Sequence, residues 1–126
     1  MSWINFFAIT VGGVVGCLAR WSAGVWLNAR WSGFPLGTLF VNCVGGLLIG
    51  MALFWFERSP NETLRLLVIT GALGGFTTFS SFSAESLIML QRGELLLALA
   101  HMLAHIVGSL TAAAIGFKIA QALLTH

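Results

Sequence analysis

The sequence predicts an all-α membrane protein of four transmembrane helices, the third broken near mid-membrane, assembled as an antiparallel dual-topology homodimer. Four observations lead there. Of the 126 residues, 58% are hydrophobic and only 8% charged, against about 25% charged in an ordinary soluble domain. The apolar residues fall into four stretches, each long enough for a hydrocarbon core that takes about 20 residues to cross. The third stretch is crowded at its centre with glycine and hydroxyl residues, and the few basic residues are shared evenly between the two ends of the stretches.

The first stretch covers residues 4–27 and follows Met1 and Ser2 without a basic leader. It runs past the about 7 to 15 residues of a signal-peptide core, so it is expected to be retained. A polar connection over residues 28–35, with glycine and proline, leads to a second span over 36–56. Residues 57–63, Glu-Arg-Ser-Pro-Asn-Glu-Thr, are the most polar run and carry turn chemistry, so they form a loop. The third span is expected over 64–90, a short turn at Gln91-Arg92-Gly93-Glu94 follows, and the fourth span covers 95–124. The apolar length suffices for these spans and little else, giving a single transmembrane domain over 1–126 with both termini on one side.

Span three contains Gly71, Gly74 and Gly75 together with Thr77, Thr78, Ser80, Ser81 and Ser83. Glycine and β-branched threonine weaken a helix. Backbone that leaves helical geometry at membrane depth survives only where protein or a water-filled cavity satisfies its polar groups, so a break would mark a site. Spacing alone is equally consistent with an unbroken helix whose small residues allow close packing.

Lysine and arginine set topology. Arg58, Arg65 and Lys118 fall at one end of the spans, and Arg30, Arg92 and Arg20 at the other. That balance predicts insertion both ways and an antiparallel pair. Four short helices also leave no lumen for a polar solute without a partner. Gly12-Gly13 with Gly16, Gly46 with Gly50, and Gly71 with Gly75 permit close helix approach. The basic residues are scattered, which excludes nucleic acid as a partner. Cys17 and Cys43 lie in apolar spans and read as small buried hydrophobes. Trp3, Trp21, Trp26, Trp31 and Trp55 cluster toward span ends, as interfacial anchors do.

Three motifs carry a family resemblance along essentially the whole chain. Span one holds Gly12-Gly13-Val14-Val15-Gly16-Cys17-Leu18-Ala19-Arg20, span two Gly37-Thr38-Leu39-Phe40-Val41-Asn42, and span three Gly74-Gly75-Phe76-Thr77-Thr78-Phe79-Ser80-Ser81-Phe82. The chain resembles the small fluoride channels called Fluc or CrcB, in which the last motif usually ends Phe-Ser-Thr-Phe. Ser81 in place of threonine keeps the hydroxyl and loses a methyl. The resemblance implies an antiparallel homodimer in the bacterial inner (plasma) membrane with two fluoride pathways, a central structural sodium ion, and passive electrodiffusion that expels toxic cytoplasmic fluoride. It further implies that backbone carbonyls of Gly74 and Thr77 hold the sodium, that Asn42, Phe79 and Phe82 line the pathway, and that Ser109 extends it, with His105 one turn earlier.

The chemistry of these residue types suits that expectation. Fluoride is small and strongly hydrated, and a selective route must replace its water with donors that do not hold it too tightly. Asn42 offers an amide, and Ser80, Ser81 and Ser109 offer hydroxyls; ordinary interhelical hydrogen bonds are the competing reading for each. Phe79 and Phe82 share a helical face, and ring edges carry partial positive charge. Glu85 and Arg20 are costly inside a bilayer and are expected at a vestibule or a partner, with snorkelling to the interface open to Arg20. His101 and His105 have a zinc-compatible spacing, but no cysteine, aspartate or glutamate nearby completes a site. Rival readings are a small dual-topology proton-coupled multidrug exporter, for which Glu85 would be the membrane carboxylate, and a non-transporting assembly module. No nucleophile–base pair, metal cluster or phosphate loop points to an enzyme.

Overall fold

The computed structural model describes residues 1–30 and 33–125. Helix α1, Trp3–Leu27, starts where the Ser2 side chain accepts the Asn5 amide, and a 3-10 turn over Asn28–Arg30 ends the first crossing. Helix α2 covers Leu36–Arg58. The third crossing is composite. It opens with α3, Glu62–Arg65, capped by Asn61, widens into π turns over Leu66–Leu73, and closes with α4, Gly74–Phe76. Thr77 and Thr78 are then extended, and α5, Phe79–Gln91, resumes with the Thr78 hydroxyl capping its Ser81 amide. Helix α6 covers Leu95–Leu124. Among the described residues, four stretches are long and apolar enough to cross a membrane. Trp31 lies outside the described residues.

Contacts between spans fix the up-down order. Thr63 donates to Asn5 Oδ1 at one end, and Asn28 Oδ1 accepts the Gly37 amide at the other. Gly93, at φ +75°, turns the chain between α5 and α6 while the Glu94 amide reaches back to Met89 O. This is a helix-ending arrangement that needs glycine's freedom at positive φ.

Two pairs of crossings approach backbone to backbone. A Cβ on Gly50 would lie 1.9 Å from Ala113 O, and one on Gly116 2.0 Å from Leu47 O, so α2 and α6 meet on bare glycine surfaces. On the other side, α1 packs against residues 66–76, where a Cβ on Gly16 would lie 2.1 Å from Ala72 O. The glycines noted in the sequence at positions 12, 16, 46, 50, 71 and 75 therefore face neighbours within the same chain. A membrane offers no hydrophobic drive between helices, so small residues that let backbones touch supply the packing. Large side chains such as Phe6, Phe7, Leu95 and Leu96 point outward instead, as a lipid-facing surface requires.

Candidate functional site

The extended pair at Thr77 and Thr78 leaves backbone groups that a continuous helix would have paired, and Asn42 of α2 meets them. Its Oδ1 accepts the Thr78 amide at 2.8 Å and its Nδ2 donates to the Thr78 carbonyl at 3.1 Å. The side-chain amide thus stands in for a neighbouring strand, satisfying the donor and the acceptor that the loss of helical geometry leaves open. The second Nδ2 hydrogen points to His105 Nδ1, 3.0 Å away on α6. Three residues along α2 from Asn42, Gly45 gives the break room: a Cβ there would lie 2.0 Å from Thr77 Cγ2.

A second polar string runs beside it. Thr38, one turn before Asn42, donates to Glu85 Oε2; Glu85 Oε1 lies 3.1 Å from His101 Nε2. His101 Nδ1 lies 3.0 Å from Ser86 Oγ, which donates to Phe82 O at 2.9 Å. With Val41, His101 is one of the bulkiest side chains to be fully buried. Phe82 stacks on the His101 ring at 5.2 Å and 12° and tilts against His105 at 4.5 Å, while Phe79 adds an outer ring 5.6 Å from Phe82. Glu85 corrects the expectation that the histidines lack an acidic neighbour: ligand atoms of Glu85, His101 and His105 all lie within 4.8 Å of one another. It comes from the preceding helix, beyond any local spacing rule.

The expected site residues divide among three cavities. Asn42, Gly74, Thr77, Phe79, Phe82, His105 and Ser109 line one groove of about 650 Å³. Ser109 donates its hydroxyl to His105 O on its own helix. Ser81 lines instead a second cavity of about 590 Å³ with Arg20 and Thr38, and Ser80 is exposed, its hydroxyl 3.3 Å from Thr78 Oγ1. The Arg20 Nε donates to the Gly75 carbonyl at 2.9 Å, tying α1 to the third crossing. Glu85 borders a third cavity of about 300 Å³ that includes Asn28, Arg92 and Glu94 and lies at the loop end of the bundle. Sequence reasoning missed Ser86, assigned Thr38 and Thr78 no role beyond the motifs that hold them, and weighed His101 only for zinc. Thr38 and Asn42 stand four apart in one motif, as do His101 and His105 on α6, and a shared helical face was the signal available for both pairs.

Four apolar crossings wrapped around part-buried strings of polar side chains, Glu85 among them, define a multi-pass helical membrane protein with a polar track rather than an oily core. Residues 7–117 match the family described as CrcB-like protein, Camphor Resistance (CrcB). A Bordetella petrii protein named fluoride-specific ion channel FluC is 48% identical over 95% of this chain and 94% of its own length. Proteins of the same name from Thiobacillus denitrificans, at 46% over 89% of this chain and 92% of their own, and Escherichia coli O1:K1, at 43% over 91% and 93%, are similar to it as well. The chain belongs to the CrcB family.

Proposed function

We propose that this chain is a subunit of a fluoride-selective channel that lets toxic cytoplasmic fluoride leave by passive electrodiffusion across the bacterial inner membrane. The names of its relatives point that way, and one observation carries the reading for this chain: Asn42, Phe79, Phe82, His105 and Ser109 converge on a single groove at the extended break. The groove holds no lysine or arginine, so nothing in it would bind a small anion too firmly to release it. Phe79 and Phe82 would present ring edges to the ion. Arg20, Ser81 and Thr38 on one side and Glu85 on the other would form vestibules, with Ser80 near the first.

The working unit is an antiparallel, dual-topology homodimer. Gly74 is exposed and the Phe79 ring is 79% exposed in one chain, although both border the groove. A second copy would wall it off. The even division of basic residues supports opposed orientations.

A structural sodium ion fits the oxygens at the break. The Thr78 amide goes to Asn42 instead of back to the Gly74 carbonyl, and the Ser81 amide goes to the Thr78 hydroxyl instead of the Thr77 carbonyl. Those two carbonyls are hard, neutral ligands of the kind that broken helices offer to sodium. Doubled across a two-fold axis they would make a four-oxygen cage. When bound, the ion would tie the two break regions together and offset repulsion between nearby anions.

The deciding experiment loads liposomes containing the purified protein with fluoride or chloride and follows efflux by ion-selective electrode, with a potassium ionophore relieving the voltage. Rapid fluoride release with negligible chloride release is expected. No release of either from intact dimers would overturn the reading. The part-buried Glu85–His101 contact gives the proton-coupled exporter its one supporting feature, since such a transporter needs a membrane carboxylate.

A further inference from the structure

The geometry points to His105 Nε2–H as a hydrogen-bond donor held ready for a small anion, with Asn42 as the positioning residue that keeps the proton on that nitrogen. The argument begins at Thr78. Its amide must meet an oxygen and its carbonyl must meet an N–H, so Oδ1 and one Nδ2 hydrogen of Asn42 are both assigned by backbone. The remaining Nδ2 hydrogen then faces His105 Nδ1 at 3.0 Å. A ring with a proton on Nδ1 would set two N–H groups against each other. The proton therefore sits on Nε2, where the neutral ring is a donor.

That donor is unanswered. His105 is 4% exposed, and Nε2 is the buried side-chain polar atom left without a hydrogen-bond partner among the described residues. Buried polar groups are nearly always paired, and an exception calls for a reason. A transient acceptor supplies one. The same proton occupies the Nε2 lone pair, which counts against that nitrogen as a metal ligand beside Glu85 and His101. Asn42 itself has no hydrogen left for an ion, which moves the donating role from the asparagine to the histidine it orients.

Naming fluoride as the anion rests on the channel reading; the proton position does not. The test uses lipid-reconstituted protein with 15N-labelled histidine, the His105 signals being assigned by their loss in His105→Gln. An unprotonated Nδ1 and a protonated Nε2 are expected, and sodium fluoride but not sodium chloride should shift the Nε2–H signal. Asn42→Asp places an acceptor opposite Nδ1, so the proton should move to Nδ1 and the fluoride response should vanish. In flux, His105→Leu should lose about tenfold or more, as removal of a charge-assisted hydrogen bond implies, while His105→Gln, which keeps a terminal N–H, should retain more. A wild-type ring protonated on Nδ1, or full flux in His105→Leu, would overturn the proposal. Absence of fluoride flux in the wild type, with Nε2 protonated and unmoved by fluoride, would overturn the anion and the channel together but leave the orienting role of Asn42 standing.

Discussion

Replacing Gly50 by alanine tests whether the α2–α6 contact holds the site together. The added Cβ would stand 1.9 Å from the Ala113 carbonyl oxygen, where ordinary contact begins at 3.4 Å. The obstacle is backbone on a 30-residue helix and cannot rotate away as a side-chain tip could. The helices must part by about 1.5 Å, and overpacking of this kind costs roughly 1–3 kcal/mol. The same displacement would stretch the 3.0 Å contact between Asn42 on α2 and His105 on α6 beyond hydrogen-bond range. Thermal unfolding in detergent should therefore fall by several degrees, and fluoride efflux should fall with it. Gly13→Ala is the control, because a Cβ there meets nothing within 4 Å; it should leave stability unchanged or raise it by about 0.5–1 kcal/mol, the usual helix preference for alanine over glycine. Equal melting temperatures and equal flux for Gly50→Ala and the wild type would refute the idea that glycine-mediated backbone contact sets this geometry.

Three further outcomes are expected. Phe79→Ile should leave the dimer assembled on size exclusion, because the ring borders the groove, yet cut fluoride efflux about fivefold, in line with loss of an about 1 kcal/mol ring contact; Phe82→Ile should also lower the melting temperature, since its ring stacks on His101. Arg20→Ala removes the bond from Nε to the Gly75 carbonyl and should destabilise the protein by roughly 1.5–3 kcal/mol in chemical unfolding; an unchanged midpoint would mean the guanidinium is not holding α1 to the third crossing. Glu85→Gln should retain most fluoride release in the liposome assay, whereas a proton-coupled exporter would lose its transport altogether, so complete loss with an intact dimer would favour the rival.

The four apolar helices were legible because a bilayer imposes length and composition on each crossing separately, and both are local properties. The glycine and hydroxyl cluster in span three marked where the chain departs from regular helix, but not the eight-residue π stretch at Leu66–Leu73 that precedes it. That widening lies where Gly12 and Gly16 of α1 approach residues 67 and 72, a contact between segments more than fifty positions apart. The same limit applies at the site. Asn42 and Phe82 could be named from motifs, and His105 and Ser109 from the family resemblance, while the pairing of Glu85 with His101 could not. It joins two helices across a tight turn, and only the rotation of α5 decides that the carboxylate faces inward. Ser80 and Ser81 show the converse: hydroxyls beside a break look alike in sequence, yet a 100° step around α5 sends one outward and the other to a different cavity.

The two extended residues at Thr77 and Thr78 also act as a phase shift. A helix advances about 1.5 Å per residue and turns through about 100° as it does so, whereas extended backbone advances about 3.3 Å and alternates sides. Over two residues the chain gains roughly 3.6 Å of height over a continuous helix and loses the angular register between its halves. A helical wheel drawn through residues 62–91 as one rod therefore assigns wrong compass directions to everything on one side of the joint. This uncoupling lets Gly71 and Gly75 serve contact with α1, while Phe82 and Ser86, only a few positions later, face the histidines of α6. Shortening or lengthening the joint by one residue would leave both halves helical and apolar, and would turn the aromatic pair away from the groove.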